Sequence, residues 1–249
     1  MQDIFIADID GGNVRQITGD AANENCPFWS PDGRHIGFSS NIIKGKTGYY
    51  SVFTVSLENE AVTQISPDSI SVQSGDWSPD GQLIVFDGQG ERQPDNFLGL
   101  WNLTTQTLTV LRTELRYMGW PKFSPSGKKV VFEALEKNSI IYNIWSLDID
   151  GTGLIKITTD GGEYPCWSPD GQWILYSKKS EGQYDLWVIH PDGSDAEPLT
   201  NTKDANEVRA CRSPDGTRIL FDTMMGTEAV DPHEAGIYAV DVEMLTTEQ

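Results

Sequence analysis

Apolar and polar residues alternate along much of this chain with a period of two, and Pro, Asp and Gly break the alternation at regular intervals. Ile36 and Phe38, Ile84 and Phe86, Val130 and Phe132, Ile174 and Tyr176, and Ile219 and Phe221 each form an apolar pair with one residue between. Period two predicts strands with one buried face, and no stretch carries the three-to-four spacing of a helix.

Each pair follows a copy of one string. Trp-Ser-Pro-Asp-Gly stands at Trp29–Gly33, Trp77–Gly81 and Trp167–Gly171, with variants at Phe123–Gly127 and Arg212–Gly216. Its serines fall at 30, 78, 124, 168 and 213, a spacing of 48, 46, 44 and 45 residues. So regular a period predicts a repeat architecture. Within the string, Pro presets φ, Asp suits the turn interior and Gly supplies the positive φ of a chain reversal, so each copy predicts a hairpin. The aromatic before the serine is expected to wedge between neighbouring sheets.

A second hairpin follows each first one. Its leading strand carries an aromatic at Phe5, Phe53, Trp101, Trp145, Trp187 or Tyr238. Turns follow, as at Asp8–Gly11, Asp148–Gly151 and His190–Gly193. Return strands end at Ile17-Thr18, Ile65-Ser66, Ile157-Thr158 and Leu199-Thr200, in each case 12 residues after the aromatic. Four strands per repeat without a helix predict a single all-β domain over 1–249, a β-propeller of four-stranded antiparallel blades.

Five first hairpins stand against six leading strands. In the preferred closure the amino-terminal hairpin, 2–18, completes the last blade, which gives five blades and a surplus strand near 236–242. The alternative is an incomplete six-bladed ring.

The Trp-Ser-Pro-Asp-Gly turn and the following Asp…Gly…Leu-Thr hairpin resemble the WD-type repeat of the bacterial TolB-like β-propellers over essentially the whole chain. The resemblance implies the fold firmly and the function loosely. Related repeats occur in periplasmic TolB, in propellers that cap prolyl-oligopeptidase and tricorn-type peptidases, and in some lyases. It implies a periplasmic location, against which stand the three cysteines, expected to be free, and the lack of a basic-then-apolar export signal at the amino end.

Composition narrows the partners. Lys and Arg number 18 against 37 Asp and Glu, a net charge of −19. Such a chain is not expected to bind a nucleic-acid backbone or adsorb to an anionic membrane. No apolar run is long enough to span a bilayer. A protein or peptide partner and a monomeric state are the expectations.

Candidate chemistry is sparse. The Asp-x-Asp-Gly strings at Asp8–Gly11 and Asp148–Gly151 match the opening of a calcium loop but lack its distal glutamate, so a turn is preferred. Cys26, Cys166 and Cys211 fall on innermost strands and are expected to be buried free thiols. His35, His190 and His233 are scattered and the nucleophile motif G-x-S-x-G is absent, which favours a non-enzymatic role. The informative positions are the leading ends of the innermost strands, expected to surround one mouth of the central channel. They place Glu24 and Asn25, Val72 and Gln73, Met118 and Gly119, Gly162 and Glu163, and Glu207 and Val208 there. Glu24, Glu163 and Glu207 are the candidate metal ligands, with Ca2+ as the ion; otherwise no cofactor is expected. Tyr117, Trp120, Tyr164 and Arg209 are candidate partner contacts. Met224 and Met225 join them, in a long interruption of the repeat that runs from Asp222 to Ala235. The leading expectation is an interaction scaffold. The alternatives are a propeller enzyme or enzyme-associated domain, lyase-like or peptidase-gating, and a carbohydrate-binding module.

Overall fold

The computed structural model describes residues 2–19, 21–41, 49–90, 96–202, 205–225 and 236–242. Every regular element among them longer than one residue is a strand. The chain divides into two compact units, Met1–Phe123 and Ser124–Gln249.

The first unit opens with β1 (Phe5–Ile6) and β2 (Arg15–Gln16), paired with each other as a two-stranded sheet. Then come β3 (Glu24–Trp29), β4 (His35–Ser40), β5 (Ser51–Ser56) and β6 (Val62–Gln64), in the order β3-β4-β5-β6. β7 (Ile70–Trp77), β8 (Leu83–Gly90), β9 (Asn96–Asn102) and β10 (Thr107–Leu111) repeat that meander, and β11 (Tyr117–Phe123) ends the unit. The second unit continues with β12 (Lys129–Leu135), β13 (Asn143–Asp148) and β14 (Ile155–Lys156). β15 (Glu163–Trp167), β16 (Ile174–Ser180), β17 (Gln183–Ile189) and β18 (Glu197–Pro198) form the next sheet. The last comprises β19 (Ala205–Arg212), β20 (Arg218–Met225) and β21 (Gly236–Asp241). One sheet per sequence repeat makes this a five-bladed β-propeller. The strand near 236–242 is not surplus: β21 pairs with β20 along its length, from Arg218 opposite Asp241 to Thr223 opposite Gly236.

The repeated string is a turn for a reason the coordinates make explicit. Ser30 Oγ accepts the His35 N–H at 2.9 Å and its hydroxyl donates to Asp32 at 2.6 Å, while Asp32 accepts the Arg34 N–H at 3.0 Å. The same closed circuit recurs at Ser78 and Asp80, Ser168 and Asp170, and Ser213 and Asp215. Ser126 replaces the aspartate after Ser124, and its contacts lengthen to 3.1 and 3.4 Å. The Asp-x-Asp-Gly strings are likewise turns, closed by Gly11 N–H to Asp8 O and Gly151 N–H to Asp148 O, both at 2.8 Å.

The alternating residues build the cores. In the first unit Ile4, Ile36, Phe38, Phe53 and Val55 pack together; in the second, Val131, Ile144, Ile174, Tyr176 and Trp167 do. Phe28 reaches between the first two sheets only because its neighbours are glycines. A Cβ on Gly37 would stand 2.2 Å from its ring, and one on Gly75 3.0 Å.

Two expectations about this packing need correction. Trp167 is buried, but Trp29 is 53 % exposed. The turn aromatic packs on the repeat before it, as Trp77 does against Phe28 and His35, with ring centroids 6.3 and 6.1 Å apart. Before Trp29 its unit supplies only the short β1–β2 hairpin. The cysteines form no disulfide with one another, yet none is buried: Cys26 and Cys166 are half-buried and Cys211 is exposed.

Candidate functional site

The innermost strands do not run straight. Cys26, Trp120, Tyr164 and Arg209 each stand four residues before a turn serine, and all four have positive φ, from 50° to 54°. Register shifts fall at the same place, between Asn25 and Phe28, Glu163 and Cys166, and Val208 and Cys211. These are β-bulges, which bend a strand and re-aim its side chains. A left-handed non-glycine residue costs on the order of 1–2 kcal/mol, so each bulge needs support.

At Trp120, Tyr164 and Arg209 that support comes from one register position the sequence reading passed over, the residue after the apolar pair of the second strand. It is Ser39, Asp87, Glu133, Ser177 or Asp222. Asp87 accepts both the Ser74 N–H at 2.6 Å and the Ser74 hydroxyl at 2.7 Å, and Ser74 Oγ accepts the Trp120 N–H at 3.2 Å. Glu133 accepts the Tyr164 N–H at 2.9 Å, and Asp222 pairs with Arg209 at 2.8 Å. The Ser39 hydroxyl donates to the Gln73 carbonyl at 2.7 Å. A polar residue recurring in an otherwise apolar strand was the available signal.

In the first unit these supports open onto a cavity of about 130 Å³. β7 supplies Ser71 and Gln73, β8 supplies Asp87 and Gln89, β9 supplies Asn96, β11 supplies Tyr117, and Arg116 stands just before it. Asn96 holds the wall: its side-chain oxygen accepts the Met118 N–H at 2.8 Å and its amide donates to the Met118 carbonyl. Asp87 is 4 % exposed, and burial, outweighing the hydrogen bonds from Ser74, pushes its carboxyl up to about 6. Gln73 and Tyr117, both expected at the leading ends of innermost strands, meet in this cavity. Trp120 lies one turn of the bulge further along β11 and Met118 is buried.

In the second unit Glu163, Tyr164 and Arg209 share a neighbourhood. The Tyr184 hydroxyl donates to Glu163 at 2.7 Å. Burial, then the charges of Glu133 and Glu163, raises the Tyr164 phenol to about 12. Burial and the Glu163 hydrogen bond raise Tyr184 as well.

Glu24 and Glu207 are not surface rim groups. They occupy the register position that Val72 and Met118 fill elsewhere, and are 3 % and 4 % exposed. Burial raises the Glu207 carboxyl, opposed by its Thr200 hydrogen bond and reinforced by Asp185. Among the described residues no group of three or more His, Cys, Asp or Glu side chains is placed to hold a metal ion. Met224 and Met225 lie in β20, but their side chains, residues 226–235 and His233 lie outside the described residues, as do 42–48 and 91–95 of the smaller interruptions.

Comparison with known proteins decides the family. Residues 91–247 match the TolB beta propeller domain. The chain belongs to this TolB propeller family. It is 29 % identical over 192 residues to the Tol-Pal system protein TolB of Francisella tularensis, covering 76 % of this chain and 43 % of that protein. It is 29 % identical over 126 residues to the uncharacterized peptidase YuxL of Bacillus subtilis, covering 46 % and 18 %. The chain thus spans less than half the length of these curated relatives. Among solved structures, a TolB from Agrobacterium tumefaciens superposes with TM-score 0.82 at 22 % identity, covering 96 % of this chain and 84 % of that one. An oligogalacturonate lyase in complex with manganese superposes at 0.68 and 17 % identity, covering 97 % and 68 %. At such identities the structures show the shared fold. No helix of the described residues is long and apolar enough to cross a membrane.

Proposed function

We propose that this TolB-family propeller is a non-enzymatic binding module for a protein or peptide partner, with the polar cavity at the leading ends of β7 and β11 as a principal contact. The observation that carries this reading is the cavity's construction. Asn96 fixes one wall through both backbone groups of Met118, the Asp87–Ser74 pair fixes the floor, and Arg116, Tyr117 and Gln73 stand over it. A rigid polar recess on a β scaffold suits recognition without rearrangement. The relative named as a Tol-Pal system protein makes a protein partner the first expectation.

Panning a random peptide library against the wild type and against a Tyr117→Ala, Gln73→Ala double variant tests the reading. A common motif enriched by the wild type and lost on the variant supports it. No enriched motif, or equal enrichment on both proteins, overturns it. The lyase-like and peptidase-gating alternatives predict instead that activity on an oligouronate, or on a peptide when joined to a hydrolase domain, depends on this chain.

A further inference from the structure

Arg116, like Arg15, Arg34, Lys128, Lys179 and Arg212, is a cation without a carboxylate partner among the described residues, and its place sets it apart from them. In a chain of net charge −19, the cations Lys122, Lys129, Lys156, Lys178, Arg209 and Arg218 each stand within 4.0 Å of a carboxylate. Arg116 has no such partner among the described residues, although carboxylates outnumber cations two to one. It lines a recess on which hydrogen-bonding side chains converge.

The remaining groups of that recess favour one class of occupant. The Asp87 carboxylate is 4 % exposed and takes both Ser74 donors on one oxygen, so it presents little surface to a ligand. Both ends of the Asn96 amide are engaged with Met118. Ser71 Oγ accepts the Tyr50 N–H at 3.3 Å, which leaves its own hydrogen to donate. The Gln73 side chain is exposed at the rim. Arg116 adds a planar fork of donors that matches a carboxylate. Donors with no acceptor to satisfy them call for an anion. The recess, about 130 Å³, has room for a carboxymethyl or carboxyethyl group.

We propose that this cavity is a subsite for a carboxylate, the side chain of an Asp or Glu in an acidic peptide, held by Arg116 with Ser71 and Gln73 as neutral donors. The inference rests on the binding-module reading and names the chemistry of its ligand. Because the protein's overall field repels anions, recognition depends on this contact alone.

The test is a titration followed by NMR on the Asn96 and Gln73 side-chain amides and the Met118 N–H. Probes are the capped peptide Ac-Gly-Glu-Gly-NH2, its Gln counterpart and free acetate, each taken into the millimolar range. The Glu peptide should shift these resonances saturably and the Gln peptide should not. Arg116→Ala should weaken binding about ten- to a hundredfold, and Arg116→Lys by less, since charge survives and the fork does not. Arg116 is exposed, so an unchanged melting temperature verifies that both variants fold. Acetate binding as tightly as the Glu peptide would overturn the peptide as source and leave a free small acid. Equal binding of the Glu and Gln peptides, no saturable shift with any carboxylate, or an unaffected Arg116→Ala would overturn the carboxylate subsite. A library peptide that lacks Asp and Glu yet still requires Tyr117 and Gln73 would overturn the inference while the binding-module reading stands.

Discussion

Asp87 is a buried carboxylate whose perturbation predicts a slope of stability with pH. Its carboxyl, on β8, is buried and receives two hydrogen bonds from Ser74, yet it is pushed up to about 6 from 3.8 because desolvation outweighs those bonds. A shift of about 2 units, at about 1.4 kcal/mol each, is worth about 3 kcal/mol. The sign follows from proton binding. Between the two pKa values the folded chain keeps a proton that the unfolded chain has released, so this stability is fully present below the unfolded value and is lost as pH rises through about 6. Asp87→Asn keeps an oxygen for both Ser74 donors and cannot ionise. The unfolding free energy of the wild type minus that of the variant should therefore fall by about 2–3 kcal/mol between about pH 4 and about pH 7.5. Urea titrations with unchanged m-values measure it. The turn aspartates Asp32, Asp80, Asp170 and Asp215 are held low by their serine hydroxyls, Asp215 at about 2. Their contribution has the opposite sense, is lost only as pH falls through their folded values, and cancels in the difference. A difference that stays constant to within about 0.5 kcal/mol across the range would refute the desolvation argument, because a solvated carboxylate would show no such slope.

Two further outcomes follow from the packing and the turns. Trp167→Ala should cost about 3–5 kcal/mol in chemical denaturation and Trp29→Ala about half that, since half of Trp29 is already in water; equal losses would contradict the placement of the turn aromatic on the preceding repeat. Ser78→Ala, which removes the bonds to Leu83 N–H and Asp80, should lower stability by about 1–2 kcal/mol, and Ser124→Ala by less because its partner is the neutral Ser126; the reverse order of denaturation midpoints would show that the aspartate does not organise the turn.

The fold was legible because it is made of local rules repeated. A Ser-Pro-Asp-Gly turn closes through atoms within five residues of one another, and period-two alternation needs only one buried face, so the sequence states both without knowledge of the neighbours. Five copies then specify the architecture. The strand at 236–241 was present in the pattern through Tyr238, but its pairing with β20 is a matter of register between distant segments. What lies where two repeats meet was not legible, because the same register position carries different residues in each copy and burial there depends on what the neighbour presents. Glu24 and Glu207 stand where Val72 and Met118 stand elsewhere, and only packing shows that they are buried. Trp29 and Trp167 share a motif and differ in exposure for the same reason. The bulges at Trp120, Tyr164 and Arg209 have no local signature, since the residues that hold them stand on other strands; the recurring polar residue is visible in the sequence, but what it holds is not. Tyr117 and Gln73 were expected near one another from the repeat. Asn96 is tied to Met118 across 22 residues and Ser74 to Trp120 across 46, and only tertiary structure turns those separations into a site that Arg116 and Asp87 also line.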